Sequence, residues 1–195
     1  MADQLERLVG EYRANVLVHA DFILSPDPND KFISVQMEGY VVIREWPYTG
    51  YEKRTLPDGR VQVDLEMVES HIEGMVALSG QKIQITEKTA ARNMGTLTQV
   101  YPGADFPLSF ELLRRVEATT PMGVLRNEQP IVIRGILDRV PPVKQDSRFD
   151  GLNAFHTASP TPVPLLAPDG NVKAFFFSNS AFAAGGCSVI MTSAE

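Results

Sequence analysis

The sequence predicts a mainly β protein, an antiparallel β-barrel or two-sheet β-sandwich of about eight to ten strands with one short N-terminal helix. Three observations predict it. Apolar residues recur with a period of two over most of the chain, the period of a strand with one buried face. Glycine-containing turn signals at Pro57-Asp58-Gly59, Ser79-Gly80, Pro121-Met122-Gly123 and Pro168-Asp169-Gly170 divide the runs. The runs themselves are rich in Val, Ile, Thr and aromatic residues, which fit a pleated surface.

The elements follow in order. Asp3 caps a short 3.6-period pattern of Leu5, Leu8, Val9 and Tyr12, read as a helix ending near Gly10 to Tyr12. Val16, Val18, Ala20 and Phe22 then alternate with Leu17, His19 and Asp21 in a strand that stops at SPDPND. KFISVQMEGYVVIREW is a second strand, and Gly39 near its middle predicts a bend or bulge. Pro57-Asp58-Gly59 joins two strands in a hairpin, because proline presets its φ and glycine tolerates a positive one. Ser79-Gly80 joins a second.

The stretch VDLEMVESHIEG carries a phase slip. Val61, Val63, Leu65 and Met67 share one face, yet the next apolar row, Ile72, Gly74 and Val76, has the opposite parity. One extra residue between Val68 and Ser70, a β-bulge, would bring both rows to the same side. Residues 107–117 read equally as helix or strand: Leu, Glu and Arg favour the first, and a strand would turn Arg114 inward among Phe110, Leu112 and Val116. The C-terminal run AFFFSNSAFAAGGCSVIM sets three phenylalanines in succession, which cannot all face one side of a sheet. That points to dimerisation or to a strand closing a barrel.

At 195 residues the chain reads as a single domain, 1–195, within which 141–171 is a long loop or arm holding six of the 14 prolines. Hydrophobic content of 44% with 22% charged residues is ordinary globular composition. The net charge of −6, with no basic run longer than a pair, argues against nucleic acid and anionic membrane as partners. No apolar run is long enough to span a bilayer, and the N-terminus has no signal-peptide pattern, so a cytoplasmic location is expected. Cys187 is the single cysteine, which excludes an intramolecular disulfide and a cysteine zinc cage, and its neighbours suit a structural thiol. No metal site or cofactor is expected: the helical His-Glu-x-x-His pattern, phosphate loops, dinucleotide fingerprints and the G-x-S-x-G elbow are all absent.

Two sets of residues remain as site candidates. Glu69, His71 and Glu73 alternate along one strand face, roughly 7 Å apart at ~3.3 Å rise per residue. Carboxylates flanking an imidazole can raise its pKa and relay a proton, although acids alternating with apolar residues are also what the wet face of a strand shows. Trp46 and Tyr48, in WPYTGY beside Arg44, Lys53 and Arg54, and His156, in the proline-rich arm, are candidate ligand contacts. His19 and Asp21 share a face and could join His71 if their strands neighbour one another.

The leading function is a soluble protein binding a small, mostly apolar molecule in its interior, since the inward rows are Val, Ile, Leu, Met and Phe. One alternative is a cyclase or isomerase on the same scaffold, which requires Glu38, Glu66, Glu69, His71 or Glu73 to point into the cavity. Another is an oligomeric interaction protein with no cavity.

Overall fold

The computed structural model describes residues 8–77, 79–87, 92–140, 142, 154–159, 162–183 and 188–189, with the backbone alone for 154, 178–183 and 188–189. These residues form fourteen strands: β1 (Glu11–Ile23), β2 (Ile33–Glu45), β3 (Lys53–Thr55), β4 (Val61–Met75), β5 (Lys82–Glu87), β6 (Asn93–Gln99), β7 (Leu108–Arg114), β8 (Val116–Thr120), β9 (Gly123–Arg126), β10 (Ile131–Leu137), β11 (Ala154–Thr157), β12 (Val163–Leu166), β13 (Val172–Ala183) and β14 (Ser188–Val189). There is no helix among the described residues, and so none long and apolar enough to cross a membrane. The helix expected near the N-terminus lies mostly outside the described residues; its last member, Tyr12, sits in β1. Cys187 also lies outside them.

All strands belong to one antiparallel sheet with ring-like closure, branched in a way that a regular barrel is not. Four long strands, in the order β13–β1–β2–β4, make a continuous wall. Two routes lead from β4 back to β13. One end of β4 pairs β5 and continues through β8, β9 and β12; the other pairs β6 and continues through β7, β10 and β11. Closure of this kind leaves few unpaired edges, those of β3 and β14 among the described strands.

The turn chemistry acts as the sequence predicts. Gly59 has φ 83°, its amide bonds Leu56 O at 2.9 Å, and β3 pairs β4 in register Thr55↔Val61. The signals at 79–80, 121–123 and 168–170 join β4 to β5, β8 to β9 and β12 to β13. Residues 108–120 are strand throughout except for Arg115, which settles the ambiguity at 107–117.

The bulge falls where the phase slip predicts it. Val42 pairs with Glu69 and Ile43 with Met67, so Val68 is the extra residue. On either side, Val61, Val63, Leu65, Met67, Ile72 and Val76 are all buried on the inner face. β13 resolves the phenylalanine triplet by alternation: Phe176 is buried edge-on against Phe22 at 5.6 Å, while Phe177 is exposed and stacks on Phe32 at 6.0 Å.

Gly39 allows β2 to press against β4. A Cβ there would lie 1.9 Å from the carbonyl oxygen of His71, a backbone atom that cannot swing aside. Gly39→Ala is therefore expected to destabilise the fold by about 3 kcal/mol, the upper range for overpacking, as read by urea denaturation.

Candidate functional site

Alternation along the strands decides what faces the interior. In β1 the odd-numbered neighbours turn outward while Tyr12, Ala14, Val16 and Val18 turn inward. They meet Val41 and Ile43 of β2, Met67 and Ile72 from either side of the β4 bulge, and Phe110 and Leu112 of β7. Ile133 of β10, Phe155 of β11 and Pro142 complete the lining of a cavity. The volume open to the centre of a water molecule is about 60 Å³, room for about four to six waters. A smaller cavity of about 10 Å³ adjoins it, lined by Ile85, Val116, Ile131 and Phe176 as well as by shared residues.

One charged side chain, Arg114, lines both cavities. Its place in the inward row of β7 makes it buried, and an unpaired cation there would be costly. Glu87 at the end of β5 supplies the counter-charge: Arg114 Nη2 and Nε donate to Glu87 Oε1 at 2.9 and 3.1 Å, with both side chains 8% exposed. Ser70 Oγ accepts from Arg114 Nη2 at 2.8 Å and donates to Glu87 Oε1 at 2.6 Å. Asn93 donates to the other Glu87 oxygen, and its own carbonyl accepts the Arg115 amide at 2.7 Å. Asn127 bonds the Val116 amide and the Arg114 carbonyl, pinning the backbone just past Arg114.

A second buried acid stands without such support. Glu45 continues the inward parity of Val41 and Ile43, is fully buried, and neither carboxylate oxygen has a hydrogen-bond partner among the described residues. Burial pushes its pKa up to about 8, and the nearby Val9 amide offsets only part of that rise.

The residues proposed from the sequence lie elsewhere. Glu69, His71 and Glu73 do share one face of β4, the outer one. The His71 ring is 42% exposed and stacks on Tyr40 at 6.1 Å. Its Nδ1 lies 3.2 Å from the Gln84 amide nitrogen and its Nε2 3.2 Å from Glu73, so a neutral ring protonated on Nε2 satisfies both partners. Lys82 holds Glu73 at 2.7 Å and lowers its pKa, with His71 adding to the effect. Glu69 accepts the Tyr40 hydroxyl at 2.5 Å, which raises the phenol's pKa. Arg13 lies over the other face of Tyr40, 3.6 Å from its centroid. β2 separates His19 from His71, and His19 is exposed.

Glu66 is buried but turned to the outer side, where Arg92 bonds it at 2.6 Å and lowers its pKa. Tyr51 donates to the same carboxylate at 2.6 Å, and burial first, then this bond, raises its pKa to about 12. Glu38 is exposed. None of Glu38, Glu66, Glu69, His71 and Glu73 lines either cavity.

Trp46 is half-buried against the core with the Lys53 ammonium 4.5 Å above its ring, and Tyr48 meets Tyr51 edge-on at 5.9 Å. His156 is exposed in β11, whereas its neighbour Phe155 turns inward to the cavity. Sequence reasoning missed Glu87 and Glu45. The signal for Glu45 was its parity with Val41 and Ile43; the signal for Arg114 was the broken alternation at 107–117.

Known proteins give two points of comparison. The structure of DynF from the dynemicin biosynthesis pathway of Micromonospora chersina superposes with a TM-score of 0.68 over 90% of this chain and 80% of that one. At 19% identity the likeness is one of fold. No curated protein matches the chain. A family model described as a family of unknown function, DUF6004, matches residues 9–169, most of the length, and the chain belongs to that family.

Proposed function

We propose that the protein binds a small, mostly apolar molecule in the cavity enclosed by the ring-like sheet. The observation that carries this reading is the lining. Among the described residues, thirteen of the fourteen that line it are apolar or aromatic, and the fourteenth, Arg114, is a cation held in place by Glu87. A concave apolar site with one fixed polar group is the usual form of a small-molecule site. Removing a ligand's apolar surface from water contributes roughly 25 cal/mol per Å². The fold shared with DynF, a protein of a biosynthesis pathway, is compatible with a small-molecule role. Acid–base chemistry draws less support, because the carboxylates and imidazole expected to carry it stand on the outer face.

Cyclopentane titrated into the protein, observed through the ligand's NMR signals, tests this. Saturable binding is expected, with affinity at least tenfold weaker in Ala14→Phe, whose ring fills the cavity from the first half of β1. Native mass spectrometry of the purified protein adds the mass of any copurified ligand. Absence of both saturable binding and copurified mass would overturn the reading.

A further inference from the structure

The two cavities meet at a waist. Val18 of β1, Ile72 of β4, Arg114 of β7 and Ile133 of β10 line both, so the larger chamber ends where the smaller begins. Three of the four are branched aliphatic side chains of short reach. Arg114 is the longest of them and the one that carries charge. Its guanidinium is not free to swing, because Glu87 and Ser70 hold Nε and Nη2. The remaining nitrogen, Nη1, makes no hydrogen bond to a described residue.

A fixed cation in an apolar chamber makes a definite chemical demand on whatever enters. An oxygen reaching Nη1 gains a charge-assisted hydrogen bond at low local dielectric. A molecule of the same shape without that oxygen removes water from the nitrogen and returns nothing. Sites built around a buried donor therefore reject the analogue that lacks the acceptor far more strongly than they reject one of slightly different bulk.

We propose that Arg114 is the specificity-determining residue of the cavity. Its Nη1 selects an apolar molecule that carries an oxygen acceptor at the end facing the waist. This rests on the cavity being the binding site, as proposed above, and adds the class of molecule and the residue that chooses it.

Cyclopentanone and cyclopentane test it, since they share a ring and differ in one carbonyl oxygen. In the wild-type chain cyclopentanone is expected to bind at least about tenfold more tightly, the effect of one hydrogen bond to a charged group. Arg114→Met combined with Glu87→Gln removes the cation while leaving Ser70 and Asn93 an acceptor. In that variant the ratio is expected to fall to about one. Equal affinities in the wild type, or a preference that survives in the variant, would overturn the role of Arg114 while leaving the cavity as the binding site. If neither probe shows binding that Ala14→Phe weakens, the cavity reading itself fails and this inference with it.

Should the double variant not fold by circular dichroism, Arg114→Lys serves in its place. It keeps a charge for Glu87 without the guanidinium fork, so the ratio should fall towards one. An unchanged ratio in a folded Arg114→Lys protein would also overturn the proposal.

Discussion

Glu45→Met is expected to stabilise the protein by up to about 5 kcal/mol at pH 8.5, and by far less at pH 4, when urea unfolding of the two chains is compared. The sign follows from the direction of the shift. Glu45 titrates near pH 8 in the folded chain against 4.5 ordinarily. Between those values the folded state holds a proton that the unfolded state has released. The folded state therefore binds more protons, and stability falls as pH rises through this window. Some 3.5 pKa units at 1.36 kcal/mol each give the ceiling of roughly 5 kcal/mol. Below pH 4.5 both states are protonated and the effect of the shift is gone; above pH 8 it is complete and constant.

Methionine suits this test because replacement removes no full hydrogen bond to either Glu45 oxygen, only the weaker approach of the Val9 amide. It also keeps similar volume and shape against the neighbouring core. Burial and one backbone amide set the shift, with no charged side chain among its causes, so added salt should leave the difference between the chains nearly unchanged. Parallel stability–pH profiles for the two proteins would mean that Glu45 is ionised and solvated in the fold.

The wall of the fold was legible because a period of two and a handful of turns carry most of its information. Parity alone placed the bulge between Val68 and Ser70, because one extra residue there brings Met67 and Ile72 to the same side, and the pairing of β2 with β4 puts it at Val68. The β7–β8 segment was illegible for a definite reason. A strand there buries Arg114, and the residue that makes this tolerable, Glu87, lies 27 positions away and across the ring. Local sequence cannot announce so distant a partner.

The same limit applied to the site. Acids and a histidine in alternation mark the wet face of β4 as readily as a catalytic one. Their outward direction was fixed only once the bulge set which parity faces the core. His156 stands one residue from the cavity-facing Phe155, a single step in a period of two.

Glu87→Ala should be among the most damaging single changes in the core, costing about 3–5 kcal/mol of unfolding free energy. Truncation leaves the Arg114 guanidinium at the waist of an apolar interior without its counter-charge, and both Ser70 and Asn93 lose an acceptor. Most of that cost belongs to the stranded cation rather than to the ion pair as such, because the pair's own desolvation offsets much of its attraction. Replacing both partners by apolar groups, Arg114→Met with Glu87→Leu, is therefore expected to recover most of the loss. The double-mutant cycle should show strong coupling, beyond what two independent sites would give. Near-additive effects, or a Glu87→Ala cost below about 1 kcal/mol, would place the guanidinium in contact with water and remove the reason for its fixed position. A large coupling with a stable double variant would mean that stability alone does not require the pair. What the pair then supplies is a cation held at one point of an otherwise apolar chamber, which is what selecting a ligand by a single oxygen demands.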